Sequence, residues 1–148
     1  MEEKKQSECT PQVIAELLRQ SKTIVYPTET CYGLGCDATN QKAVDNIFCI
    51  KGRNKKKPLL VLVDSIKMAQ IYLEWNKKID DLTKRYWPGA LTIVAKVKSN
   101  LYLSRGVISD TGFLACRFTD DVFASSIVHA LGVPLVSTSA NRAGGENP

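Results

Sequence analysis

Short apolar runs suited to buried strands alternate with segments of helical periodicity along nearly the whole chain, and few folds accept that order. The runs are "TIVYP", "PLLVLV", "LTIVAKV", "FLACRF" and "VPLVST". Each is rich in β-branched, aromatic or aliphatic residues, which fit a pleated and largely buried surface. Thr10 is placed to cap a helix with Pro11 at its first position, with Val13, Ile14, Leu17 and Leu18 on one face and an end near Gln20. Asn40 caps a second helix through Ile50, with Ala43, Val44, Ile47 and Phe48 inward. Further helical segments run from about Ser65 to Leu73, Lys78 to Tyr86 and Asp120 to Leu131, the last stopped by Gly132. This order predicts an α/β (layered α+β) domain, a twisted mixed β-sheet flanked by helices, with ligands at strand ends.

The 148 residues, 44% of them hydrophobic, suffice for one core, so residues 1–148 are read as a single domain. No apolar stretch approaches the roughly 20 residues that span a bilayer, and "MEEKKQSECT" lacks a signal-peptide apolar region. A cytoplasmic protein with no membrane partner is expected. The five cysteines (Cys9, Cys31, Cys36, Cys49 and Cys116) are odd in number and form no CxxC pair, which points to reduced thiols and no zinc site. The single histidine, His129, falls inside a helical pattern and is assigned a structural role. The formal charge of +5 suits polyanions such as nucleotides or RNA without demanding nucleic acid, and DNA is not expected as a partner.

Three local patterns carry chemistry. From Lys51 to Lys57, five of seven residues are cationic (Lys51, Arg53, Lys55, Lys56 and Lys57). Their mutual repulsion is offset either by water in a solvated loop or by a bound polyanion. The position between a helix and a buried strand favours the polyanion, because Gly52 can turn the backbone and offer Lys51 and Arg53 to one ligand. In "VSTSAN", Ser137, Ser139 and Asn141 recur at a spacing of two and face one side if the backbone stays extended, although such clusters also close turns. Arg117 lies inside the otherwise apolar "FLACRF" and needs an anionic partner if its head is buried, either a structural carboxylate or a ligand.

The stretch "IVYPTETCYGLGCDATN" is read as a strand ending at Pro27 followed by a ligand-binding loop. Within it Glu29 and Asp37 are candidates for acid/base work, for a Mg²⁺ ion or for capping. Gly33, Gly35 and Ala38 satisfy G-x-G-x-x-A, but the motif starts too far from the strand and the expected downstream acid meets the lysine cluster, so dinucleotide binding is rejected. No P-loop and no S-x-x-K motif occurs, and Cys31 and the serines have no base nearby in sequence.

Taken in order, "YPTETCYGLGCDA", "KGRNKKKPLLVLV", "YWPGALTIV", "ACRFTDD" and "GVPLVSTSAN" resemble the YrdC-like family of threonylcarbamoyl-AMP synthases, the TsaC type, over about Thr23 to Asn141. The resemblance implies an L-threonylcarbamoyladenylate synthase, a nucleotidyltransferase that consumes L-threonine, bicarbonate or CO₂, and ATP with Mg²⁺, and releases pyrophosphate. Its product serves a separate transferase that modifies the adenosine beside the anticodon of tRNA. The family's K-x-R pattern falls on Lys51 and Arg53 and its S-x-N pattern on Ser139 and Asn141, the four residues implied to be catalytic. ATP would be held by Lys51, Arg53, Lys55, Thr92, Ser137, Ser139 and Asn141, and threonine by Thr28, Tyr32 and Arg117; no protein-held metal is expected. The chain departs from the family at Asn54, where proline is usual, and at Asp121-Val122, where His-Pro is usual. It also ends where relatives continue, which implies a domain lacking the family's C-terminal end. The competing expectation is a non-catalytic domain that binds tRNA or double-stranded RNA on the same basic surface.

Overall fold

The computed structural model describes residues 9–28, 31–54, 56–142 and 144–145. Its elements run α1 (Pro11–Arg19), β1 (Ile24–Tyr26), β2 (Gly33–Asp37), α2 (Gln41–Lys51), β3 (Leu60–Val63), α3 (Ile66–Tyr72), α4 (Lys77–Tyr86), β4 (Ile93–Lys96), β5 (Phe113–Phe118), α5 (Val122–Leu131) and β6 (Leu135–Ser139). Each helix begins where a side chain takes over an orphan backbone donor. Thr10, Asn40, Ser65, Asn76 and Asp121 accept from the amides of Val13, Ala43, Met68, Ile79 and Ala124 respectively. Helices α2 and α5 end at Gly52 and Gly132, both left-handed, where a side chain would be strained.

The six strands form one mixed sheet in the order β1-β2-β6-β3-β5-β4. Only β3 and β5 are parallel; the other four pairings are antiparallel. The expected mixed sheet with flanking helices is therefore present, with one strand more than the sequence patterns indicate. Gly33–Asp37, read above as part of a loop, is a fully buried strand paired with β1 on one side and β6 on the other. Its pattern is hidden because glycine and aspartate are poor strand formers, and its alternate glycines serve packing across the sheet.

Registered residues share a face, and the two faces differ. One carries Leu34, Cys36, Val136, Val61, Val63, Cys116, Leu114, Ile93 and Ala95, all buried in the core. Helix α5 packs against β3, and α1 packs against both α5 and β2. The Arg19 guanidinium ties the two helices by donating to the carbonyls of Ala130 (2.7 Å) and Leu131 (3.2 Å). The other face carries Tyr26, Gly33, Gly35, Ser137, Ser139, Leu60, Arg117, Ala115, Phe113 and Val94. Ser139 and Arg117 are half-buried there, and Val94 and Phe113 are exposed, so this side is only partly covered.

Candidate functional site

The site is organised around the end of α2. The Gly52 amide donates to Cys49 and the Arg53 amide reaches back to Phe48, which closes the helix and turns the chain sharply. The turn leaves Lys51 in the last helical turn, directed inward, and sends Arg53 onto the following loop. Lys51 is only 3% exposed. Its ammonium donates to the Ser139 carbonyl at 2.5 Å, the Asn141 carbonyl at 2.8 Å and Asn141 Oδ1 at 3.3 Å. An ammonium has three protons, and three acceptors meet it. Ser139 Oγ donates to Asn141 Oδ1 (2.6 Å) and Asn141 Nδ2 donates to the Gly145 carbonyl (2.9 Å), so the loop after β6 is wrapped around the cation. Burial pulls the Lys51 pKa below the usual 10.5; the nearby Arg53 cation acts in the same direction and Cys31 opposes it.

Arg53 is held by its own loop, with Nε donating to Lys57 O and Nη2 to Pro58 O, both at 3.2 Å. Asn54, where the family usually has proline, accepts from the Lys56 amide at 2.9 Å and so keeps the turn closed by another means. Lys56 and Lys57 are exposed, and the expectation for Lys55 lies outside the described residues.

The quoted loop meets this cluster at its end. Thr28 Oγ1 donates to the Cys31 carbonyl (2.6 Å) and accepts from the Cys31 amide (3.3 Å), which ties the turn to itself. Tyr32 is 56% exposed, and its carbonyl accepts from the Ala140 amide at 2.9 Å. The loop that carries Thr28 and Tyr32 and the S-x-N loop are therefore joined backbone to backbone. Glu29 and Thr30 lie outside the described residues. Asp37 stands at the far end of β2, where Oδ1 accepts from the Thr39 amide and hydroxyl (2.7 and 2.6 Å), the capping role among those considered for it.

Ser137 sits one strand pleat behind Ser139, 9% exposed, and accepts at Oγ from the Tyr26 hydroxyl at 2.8 Å. Tyr26 was not singled out in the sequence. The only local signals were a tyrosine closing an apolar run and two glycines at alternate positions ahead of it. Arg117 and Thr92 stand apart from the Lys51 clasp. Arg117 is half-buried on β5, registered with Leu62, which is in turn registered with Leu135 of β6. Thr92 immediately precedes Ile93, the partner of Cys116, so it lies on the β4 side of Arg117. His129 is removed from the site: Nδ1 pairs with Asp64 Oδ2 at 2.9 Å on the surface. Among the described residues, no three His, Cys, Asp or Glu side chains come together to hold a metal ion, and no helix is long and apolar enough to cross a membrane.

A mixed sheet whose last strand delivers a hydroxyl- and amide-bearing loop onto a buried lysine, with an arginine turn beside it, defines an α/β domain with a polar, cation-centred loop cluster at one end of the sheet. The chain belongs to the Sua5/YciO/YrdC family, whose profile, described as telomere recombination, matches residues 16–148. It is 36% identical over 135 residues to the threonylcarbamoyl-AMP synthase of Bacillus subtilis, covering 90% of this chain and 39% of that protein. It is 34% identical to the protein of the same name from Aliivibrio fischeri, covering 88% of this chain and 71% of that one. The crystal structure of Pyrococcus abyssi Sua5 complexed with L-threonine superposes with a TM-score of 0.86 at 30% identity, over 93% of this chain and 40% of that chain. Escherichia coli YciO shares the fold, with a TM-score of 0.77 at 24% identity. The chain thus spans about two fifths of the Bacillus and Pyrococcus proteins.

Proposed function

We propose that this domain carries the active site of an L-threonylcarbamoyladenylate synthase, a nucleotidyltransferase acting on L-threonine, bicarbonate and ATP. The observation that supports it most is the clasp of Lys51 on Ser139 and Asn141, which unites two motifs 88 and 90 residues apart around one buried cation. The names of the relatives and the threonine bound to Pyrococcus Sua5 support the same substrates.

In this reading threonine reacts through its N-carbamate. A carbamate oxygen attacks the α-phosphorus of ATP, the bond from that phosphorus to the bridging oxygen of the β-phosphate breaks, and pyrophosphate leaves with the electron pair. The nucleophile is already anionic, so no serine or cysteine intermediate is required. What the reaction needs is alignment and compensation of negative charge. Lys51 supplies a fixed positive charge behind the S-x-N loop, and it contacts a phosphate oxygen directly by releasing its longest bond, to Asn141 Oδ1. Arg53 helps hold the triphosphate, a role the resemblance extends to Lys55, while Ser137, Ser139 and Asn141 bind around the α-phosphate. Thr92 approaches the nucleotide, and Thr28, Tyr32 and Arg117 hold threonine. Mg²⁺ enters as part of the Mg-ATP substrate and compensates charge on the leaving pyrophosphate. The adenylate then passes to a separate transferase that modifies the adenosine beside the anticodon of tRNA, in the cytoplasm.

Pyrophosphate release with Mg-ATP and bicarbonate, with and without L-threonine, tests the proposal. Threonine-dependent release, lost in Lys51→Ala and in Asn141→Ala, is expected. A folded chain that releases no pyrophosphate, yet binds tRNA with steep salt dependence and no response to threonine, overturns it in favour of an RNA-binding domain.

A further inference from the structure

Tyr26 and Ser137 lie on strands that are not neighbours. β1 and β6 both flank β2, so a side chain from one reaches the other only by crossing β2, a separation of about 10 Å between strand axes. Tyr26 makes that crossing while 2% exposed, with its hydroxyl ending 2.8 Å from Ser137 Oγ. The two residues of β2 beneath the ring are Gly33, registered with Tyr26, and Gly35, registered with Ser137. A Cβ on Gly33 would stand 3.1 Å from Tyr26 Cζ, and one on Gly35 would stand 2.9 Å from Tyr26 Cε1. The contact at Gly35 is closer than side-chain carbons come, and the one at Gly33 is tight enough that the ring would have to shift. The two glycines form a slot through which the phenol passes.

A buried strand gives up side-chain packing and chain entropy by holding glycine at two alternate positions. Here the return includes a hydrogen bond delivered to a serine on the partly open face, two residues from the Lys51-bound Ser139. Because the phenol donates, Ser137 Oγ is left with its own proton to donate elsewhere, and its orientation is restricted by the Tyr26 bond. Donors linked in series polarise one another.

The geometry points to Tyr26 as a positioning residue, and this rests on the reaction proposed above: its hydroxyl orients Ser137 so that the serine donates to the phosphate chain of ATP. Tyr26 touches no substrate itself.

Tyr26→Phe keeps the ring in its slot and removes the hydroxyl, and Ser137→Ala removes the group it acts through. The two variants and their double are compared by pyrophosphate release, by equilibrium binding of ATP and by thermal unfolding. Tyr26→Phe is expected to lower kcat/KM for ATP roughly three- to tenfold, the scale of one neutral hydrogen bond, with KM for L-threonine unchanged. In the Ser137→Ala background the same substitution has no further effect on kcat/KM. A merely structural hydroxyl would lower the melting temperature and leave kcat/KM alone, or give losses that add in the double variant. Either result overturns the inference and leaves the synthase reading intact. If the wild type binds ATP but releases no pyrophosphate, the synthase reading fails, and the non-additivity of ATP binding alone decides the role of Tyr26. A folded wild type that neither binds ATP nor turns over overturns both.

Discussion

Lys51 and Asn141 are 90 residues apart in sequence, and the Lys51 ammonium lies 2.8 Å from the Asn141 carbonyl and 3.3 Å from Asn141 Oδ1. The lysine is therefore a structural staple of the loop after β6. A cation buried beside another cation persists only when carbonyl dipoles compensate it, and the loop after β6 supplies them.

Lys51→Met removes the cation while keeping much of the chain length. It leaves the Ser139 and Asn141 carbonyls without their buried donor, at a cost of about 1–3 kcal/mol. Chemical denaturation should show that loss, and hydrogen exchange should show faster exchange at the Ala140 amide, whose bond to the Tyr32 carbonyl depends on the loop staying in place. Unchanged exchange there would mean that the loop holds its shape without the lysine.

The lowered pKa of Lys51 predicts a pH dependence of nucleotide affinity. Binding to polyphosphate needs the protonated ammonium, so affinity should fall as pH rises, at a pH below the 10.5 of an ordinary lysine. Arg53 contributes to the lowering, so Arg53→Gln should weaken binding and also move the fall to higher pH. Calorimetric titration of ATP across the alkaline range distinguishes this from a simple loss of one contact, which would weaken binding without moving the midpoint.

The core thiols set the alkaline limit of stability. Burial pushes Cys36 and Cys116 each from 9.0 to about 12, with Asp37 adding to the effect at Cys36, and burial raises Tyr72 as well. Above about pH 9 the unfolded chain ionises the two thiols, and above about pH 10 Tyr72 too, while the folded chain still holds these protons. Stability therefore falls with rising pH from about 9 toward 12, by up to about 1.4 kcal/mol per pH unit for each thiol. Lys51 works in the opposite sense, because its unfolded form holds the proton longer, but it is one group against three. Urea midpoints measured from neutral pH upward should decline, with a shallower slope in Cys116→Ala.

The same burial separates the cysteines by reactivity. Cys49 is exposed on α2, whereas Cys36 and Cys116 are buried. Iodoacetamide at mildly alkaline pH should label Cys49 in the native protein and reach Cys36 and Cys116 only after denaturation. Native labelling of either core thiol, read by mass spectrometry, would contradict the packing of β2 and β5.

Gly35→Ala should be costly. The new Cβ meets Tyr26 Cε1 and the Val136 carbonyl, both at 2.9 Å, and a backbone carbonyl held in a ladder has little room to retreat. A loss of about 1–3 kcal/mol is expected from such overpacking. Gly33→Ala should cost less, since the atoms it meets, at 3.1 Å or more, all belong to side chains. Thermal unfolding of the two variants ranks them.

Much of the architecture is written in short-range signals. Thr10, Asn40 and Gly132 mark helix ends through bonds to residues three or four away, and those ends fall within a residue of their expected places. The five apolar runs each become a strand because their side chains suit a covered sheet whatever its order. The strand Gly33–Asp37 was not readable, because its glycines have no pattern of their own and make sense only beneath the ring of Tyr26.

At the site, the chain's local chemistry names Lys51, Arg53, Ser139 and Asn141 as groups suited to an anion, and their order in the chain carries the resemblance to the family. It does not say that Lys51 turns inward, that its three protons meet the loop after β6, or that Tyr26 reaches Ser137. Those relationships follow from the insertion of β6 between β2 and β3. Local periodicity reports on neighbours a few residues away, whereas the partners of a buried cation or hydroxyl are chosen by which strands lie side by side, and that depends on packing the whole sheet at once.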